Sequence, residues 1–532
     1  MIKGFRQIAS LTFISRIFGM LRDVAYASFL GADAVTDAWF IAFKIPNLAR
    51  RLFGEGAASA SFIPVYSEIL QQDKARAARL ANTVVTVIFV FLSALVLLAW
   101  AGIFAYRFFV DTTGETNLIL TLCSVMLPYT VLICTVAILA GILNVHRHFA
   151  APAAAPTVLN IFIITALLLT GWVFHVDKQT QLFYIAAAVL LAGLAQITMQ
   201  IIPLKSAGLS IRPDFNVHCD AFKKIIYMMA PMIIGLTATQ INTLADDLIA
   251  WFFSASDEKA EILTFFGRQM QFPMQRGSVT HLYLAQRLYQ LPLGVIGISL
   301  ATAIFPIMSD DAARGDLNAL SATIAKGVKA AVFVALPATV GLFLVARPLI
   351  VVLFQRGEFT PADTAATSFT LIFYSIGVTG FFAQQILTRA FYSLHQPMIP
   401  TISAVTAVIV NIILNLTLVW PLGTGGLALS TAVCSYLQVA ILLIMLRKRL
   451  GAGVFEGFAT SILKSLTGTV IIGLCGAAVL FLMRNFPNGS DAATIELIRL
   501  ILIVSVCVIV YTIIAKILRN DMLSIITGGK KR

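Results

Sequence analysis

The sequence predicts an all-α polytopic membrane fold, on three observations. Of 532 residues, 59% are hydrophobic and 12% charged, with a mean hydropathy of +0.90. Soluble domains average about 45–50% apolar and about 25% charged residues. Apolar stretches of about 20 residues recur from end to end, the length a helix needs to cross a bilayer. No run between them is long enough for a soluble domain of appreciable size.

Read in order, about fourteen spans lie near 8–30, 34–56, 82–108, 117–145, 153–174, 182–203, 224–253, 282–308, 325–354, 366–393, 399–420, 424–446, 463–484 and 495–517. Helices suit stretches of this length, since all their backbone bonds close within the segment. Arg16 and Arg22 interrupt the first span, and no small-residue cleavage site follows it, so a removable leader is not expected. Lys and Arg mark cytoplasmic segments. With the N-terminus inside, Lys74, Arg76 and Arg79, Arg147, Lys205 and Arg212, Arg314 and Lys326, and Arg447 to Arg449 all fall inside. An even number of spans returns the C-terminus, ending Lys530, Lys531 and Arg532, to the same side. The formal charge of +13 is thus mostly topology. A nucleic-acid partner would need basic residues grouped on one soluble face, and none is expected.

Cys123, Cys134, Cys219, Cys434, Cys475 and Cys507 lack CxxC or Cys/His ligand spacing, which disfavours a disulfide framework or a zinc site. The sequence has no Gly-rich phosphate loop, HExxH or GxSxG, and its six histidines accompany no plausible nucleophile. The composition therefore points to a transporter rather than an enzyme.

The two halves echo each other. SASFIPVYSE at 59–68 parallels ATAIFPIMSD at 301–310, with Pro64 and Pro306 offset by 242 residues. Two six-helix lobes, 1–215 and 216–450, would give this spacing, followed by two extra helices and a basic tail over 451–532. Parallel repeats of this kind place a substrate site between the lobes near the bilayer midplane. Gly19, Pro46, Gly54, Gly56, Pro231, Gly235, Pro292 and Gly294 fall where helix breaks or close packing are tolerated.

Arg16, Arg22, Arg50 and Arg287 lie in or beside these apolar stretches. A cation at the bilayer centre costs about 2.5–3.5 kcal/mol unless it faces water or a partner. Together they predict an electropositive polar chamber suited to an anion. Guanidinium forks bind phosphate oxygens bidentately and stay charged. Snorkelling, or pairing with Asp23, Asp37 or Glu55, is the alternative. Arg16 and Arg22 are six residues apart, about 240° around a helix, so they converge only if the helix bends, which Gly19 permits. Asp37 stands seven residues before Lys44, close to one helix face, and Glu55 sits between glycines. Both acids read equally as structural partners or as cavity lining.

A second polar set occupies the other half. Asp246 lies beside Asp247 in NTLADDLIAWFF, Asn411 and Asn415 share a helix face at i,i+4, and Thr431 follows in GGLALSTAV. A carboxylate, two amides and a hydroxyl suit a hard monovalent cation. Interhelical hydrogen bonding explains Asn and Thr just as well.

The run SRIFGMLRDVAYASFLGADAVTDAWFIAFKIPNLARRLFGEGAASASFIPVYSE closely resembles the MurJ (MviN) family, the lipid II flippases of bacterial peptidoglycan synthesis. LAQRLYQLPLGVIGISLATAIFP, LFQRGEFTPADT and GLALSTAV continue the resemblance over essentially the whole chain. It implies a multidrug/oligosaccharidyl-lipid/polysaccharide exporter fold, with the two additional helices forming a lipid-facing groove. By motif, the diphosphate-binding arginines fall on Arg16, Arg22, Arg50 and Arg287, and the family's acids on Asp37 and Glu55. A sodium site falls on Asp246, Asn411, Asn415 and Thr431, although at least one member has an acid at the Asn415 position. Many relatives carry Asp where this chain has Gln286. The implied function is alternating-access transfer of lipid II across the cytoplasmic membrane by a monomer, with lipid II and membrane lipids as partners and no cofactor beyond that sodium. Another exporter of the superfamily and a polyprenyl-diphosphate enzyme are the competing readings. The segment near 254–280 is longer than the family pattern and has no assigned role.

Overall fold

The computed structural model describes residues 2–54, 56–112, 114–255, 262–265, 268–451, 457–485 and 492–523. The helices of its first half are α1 (Ile2–Leu30), α2 (Ala34–Ala49), α3 (Ala57–Gln72), α4 (Lys74–Phe109), α5 (Gly114–Val145), α6 (Ala150–Leu168), α7 (Lys178–Ser206) and α8 (Asp220–Phe252). A hairpin of β1 (Ile262–Phe265) and β2 (Arg268–Gln271) follows, paired antiparallel with Ile262 opposite Gln271. The second half contains α9 (Ser278–Pro292), α10 (Ile298–Ala313), α11 (Leu317–Phe354), α12 (Pro361–Ile376), α13 (Val378–Ser393), α14 (Met398–Leu422), α15 (Thr424–Leu450), α16 (Phe458–Leu482) and α17 (Ala492–Ile517).

Ten of the described helical segments are long and apolar enough to cross a membrane. An eleventh span results if α12 and α13, bent by 43° around Gly377, are taken together. The chain is therefore a multi-pass membrane protein, as expected, but the count of about fourteen is not reached on length and composition. Charge and local geometry account for part of the difference. Arg16, Arg22 and Asp23 lower the apolarity of α1, and α2 is only 16 residues long before its helix widens.

The helices gather into two compact units, Met1–Leu244 with Ser256–Ala260, and Ala245–Ala255 with Glu261–Arg532. In the first, α5 packs against α2, α4 and α7, which is why it is apolar around most of its circumference. In the second, α11 takes that role against α12, α13, α16 and α17.

Local chemistry fixes the element ends. Asp73 begins α4 by accepting from the backbone N–H groups of Ala75 at 2.8 Å and Arg76 at 3.0 Å. These same bonds hold its carboxyl below the usual carboxylate range. Thr360 and Asp363 form a reciprocal capping box on α12, with Pro361 at its first position. Gly423, at φ +52°, turns the chain from α14 into α15 in a conformation that favours glycine. Three residues later Gly426 lets the two helices touch: an added methyl would run into the Leu418 carbonyl oxygen.

A π-helical turn at Arg50–Gly54 precedes α3, which contains Pro64, and another at Leu293–Gly297 precedes α10, which contains Pro306. A third widens the end of α6 at Leu169–Val173.

Candidate functional site

In the first unit the polar centre forms on α1. Arg22 and Asp23 are both buried, and the guanidinium donates to Asp23 Oδ1 from Nε at 3.1 Å and from Nη2 at 2.8 Å. Nη1 donates to Asn160 Oδ1 on α6 at 3.0 Å, and the guanidinium carbon lies 5.7 Å from the centre of the Tyr26 ring. Asn160 in turn donates to the Ser15 carbonyl at 3.4 Å. Asp23 offsets the cost of burying the cation, while Asn160 fixes the plane of its fork. Gly19 does not break the helix, since α1 runs continuously through it. A Cβ added at Gly19 would meet Asn160 Nδ2 at 3.7 Å, an ordinary contact, so the Asn160 packing does not require glycine there.

Arg16 lies on the same helix in an exposed position, six residues before Arg22. Asp37, on α2, is 2% exposed. Lys44, on the same helix, donates to the Thr243 carbonyl at 2.8 Å. Arg50 opens the first π-helical turn and is half-buried. Arg51 is exposed and reaches Gln240 Oε1 at 3.4 Å. Glu55 lies outside the described residues.

In the second unit, Arg287 lies on α9 and is held by the tyrosine one turn earlier. Its Nη2 donates to the Tyr283 hydroxyl at 3.1 Å, and its guanidinium carbon is 4.8 Å from that ring's centre. Tyr283 was missed in the sequence, although an aromatic at i−4 from an intramembrane arginine is a readable cation–π partner.

The other polar set converges. Asn415 Nδ2 donates to Asp246 Oδ1 at 2.6 Å and to Asn411 Oδ1 at 2.9 Å. Asn411 Nδ2 reaches Thr431 Oγ1 at 3.4 Å, and Thr431 Oγ1 stands 3.5 Å from Asp246 Oδ2. Asp246, Asn411 and Asn415 are at most 4% exposed, and Asp247 beside them is also buried. Three helices thus gather the other three sequence-selected groups, Asn411, Asn415 and Thr431, around the Asp246 carboxylate. Thr431 also donates to the Leu427 carbonyl at 3.2 Å, which adds a main-chain oxygen nearby. One carboxylate, two amide oxygens and a hydroxyl are the donor chemistry a hard monovalent cation takes.

Among known proteins, the family model "Lipid II flippase MurJ" matches residues 26–503. A probable lipid II flippase MurJ from Vibrio cholerae serotype O1 is 32% identical over 448 residues, 82% of this chain and 81% of that protein. One from Bdellovibrio bacteriovorus is 31% identical over 456 residues, 84% and 82% of the two chains. A solved lipid II flippase MurJ in an inward closed conformation superposes with a TM-score of 0.73 at 25% identity, covering 97% of this chain and 99% of that one. An inward-facing multidrug resistance MATE family transporter of the MOP superfamily reaches a TM-score of 0.63 at 14% identity over 85% of this chain and 99% of that one, a likeness of fold.

Proposed function

The chain belongs to the lipid II flippase MurJ family, and on that footing we propose that it carries lipid II from the inner to the outer leaflet by alternating access, with guanidinium groups receiving the diphosphate. The observation that carries this reading is the buried Arg22, oriented by Asp23 and Asn160. A planar fork held in one orientation is what bidentate phosphate recognition requires. Arg16, Arg50 and Arg287 join it in this reading, and Asp37 and Glu55 tune the cavity.

The lobes 1–215 and 216–450 rock about the substrate, and the remainder, 451–532, serves the lipid tail. Apolar side chains on α16 and α17, among them Leu474 at 67% and Val508 at 61% exposure, offer the polyprenyl chain a surface. Both termini are cytoplasmic in this orientation, and one copy suffices. Each negative charge moved out of a negative-inside cell gains about 2.3 kcal/mol per 100 mV, which favours export.

A sodium ion would be held by Asp246, Asn411, Asn415 and Thr431. When bound, it supplies a positive charge that neutralises the Asp246 carboxylate. Without it, the Asn415 amide already presents its N–H to that carboxylate, so the amide must turn for its oxygen to become a ligand.

The test is lipid II accessibility across the inner membrane of cells depleted of their own flippase. The chain should restore headgroup exposure outside, and the double variant Arg22→Ala/Asp23→Asn should not. Normal transport by that variant removes the diphosphate assignment, and no exposure with the unaltered chain removes the lipid II reading.

A further inference from the structure

The second unit contains a cavity of about 620 Å³ that the transport reading does not use. Its wall is built partly by Pro273, Met274 and Gln275, which follow β2. Ser254, just after α8, bridges to Met274, and Ala255 N donates to the Met274 carbonyl at 2.9 Å. Pro273 and Met274 then press on the α14–α15 turn, where the Pro273 carbonyl lies 3.1 Å from the position a Cβ on Gly423 would take. A side chain at Gly423 would therefore crowd this wall.

The chemistry of the lining selects a ligand class. Trp420 and Phe369 give aromatic surface, and Gln275, Ser278, His281 and Thr424 give polar groups. Among the described lining residues only His281 is ionisable. It is 2% exposed and bonded through Nε2 to Asp363 Oδ1 at 3.2 Å. A carboxylate on one ring nitrogen sets the tautomer, so in the neutral ring Nδ1 is left as an acceptor. Gln275 is exposed at the cavity and can both donate and accept through its amide. Thr424 shares a hydroxyl contact of 2.8 Å with Thr370, which fixes its rotamer. The cavity thus offers hydrogen-bonding groups, with no lysine or arginine among the described lining residues, beside aromatic surface. That combination matches a pyranose ring, with hydroxyl and amide edges and apolar C–H faces; a phosphate would call for cations instead.

We propose that this cavity is a saccharide subsite, taking a hexosamine ring, with Pro273, Met274 and Gln275 after β2 forming one wall. In the orientation proposed above it opens on the extracytoplasmic side, where it would receive the sugar headgroup as it leaves. The cavity's chemistry carries the inference, which draws on the lipid II reading only for the side of the membrane and the choice of hexosamine.

The test uses the full chain in lipid nanodiscs, titrated with N,N′-diacetylchitobiose and followed by saturation-transfer NMR and tryptophan fluorescence. Saturable binding is expected, weakened about tenfold by Gln275→Ala, a surface change that leaves the fold alone, and further by His281→Gln. Arg22→Ala/Asp23→Asn should bind the disaccharide like the unaltered chain, which separates this site from the diphosphate assignment. Absence of saturable binding overturns the proposal, as does binding indifferent to both the Gln275 and His281 substitutions. Disaccharide binding by a chain that moves no lipid II would refute the transport reading and leave the subsite standing.

Discussion

Each unit buries a carboxylate in apolar surroundings, and the two are compensated differently. On α1, Asp23 sits against the Arg22 guanidinium, a full positive charge fixed by covalent neighbours. On α8, Asp246 receives the amide of Asn415 and faces the hydroxyl of Thr431. Arginine stays protonated at any physiological pH, so the first arrangement is permanent. Amides and hydroxyls can rotate and present either end of their dipoles, so the second can exchange a donor for a cation. A cluster built to hold charge and a cluster built to adapt are different devices made from the same carboxylate.

The largest effect should come from dividing the first pair. Arg22→Ala takes the fixed guanidinium away from the buried Asp23 carboxylate, a loss of about 3–5 kcal/mol. Adding Asp23→Asn should restore most of the thermal stability in detergent while transport stays down by about 100-fold, or about 3 kcal/mol of charge-assisted binding. If stability and transport return together, Arg22 is structural and the contrast between the clusters collapses.

Next comes the second cluster. Sodium at about 100 times its dissociation constant should stabilise the protein by about 2.7 kcal/mol, read as a rise in melting temperature over a potassium control. Asp246→Asn should abolish that rise. Asn415→Asp, which adds a second carboxylate, should sharpen it by tightening sodium about tenfold. A rise unchanged in Asp246→Asn would show that the cluster is only a hydrogen-bond network.

Gly426→Ala tests the frame of that cluster, because the added methyl forces α14 and α15 apart at Leu418. It should cost about 1–3 kcal/mol by overpacking and weaken any sodium response, since Asn411 and Asn415 lie on one helix and Thr431 on the other.

The smallest effect concerns His146, just beyond α5, whose Nε2 is 2.8 Å from the Tyr66 hydroxyl. Burial, then His148 and Lys74, holds its pKa below the usual value of 6.5. The neutral form is therefore the one folding prefers. Stability linked to it is present above the unfolded value and lost as pH falls through the folded one. Melting temperature should decline slightly from pH 7.5 to 5, and less in His146→Gln.

How much of this was legible in the sequence depended on the type of signal. Apolar length predicted membrane helices, and i,i+4 spacing put Asn411 and Asn415 on one face, where the structure places them around Asp246. Asn160 escaped notice because a lone amide in TVLNIFII has no local partner. Its partner Arg22 lies 138 residues away, and only helix packing joins them. His281 and Asp363 were hidden for the same reason, 82 residues apart on α9 and α12. The turns of α2 and α9 could not be read either, because an α and a π turn share the same composition.

Those two wide turns have a consequence for how the chain tolerates change. A π-helical turn closes over one more residue than an α turn, so each is a place where the helical register has slipped by one. Removing a single residue within Leu293–Gly297 would let α9 and α10 join as an uninterrupted α-helix. Because the wide turn holds the extra residue within nearly the same sweep, side chains from Ile298 onward would keep close to their present bearing relative to Arg287, whereas a deletion elsewhere on the rod would swing them by about 100°. The turn at Leu293–Gly297 thus holds one spare amino acid, and a deletion there is absorbed while the same deletion in the α-helical turns beside it re-aims everything beyond.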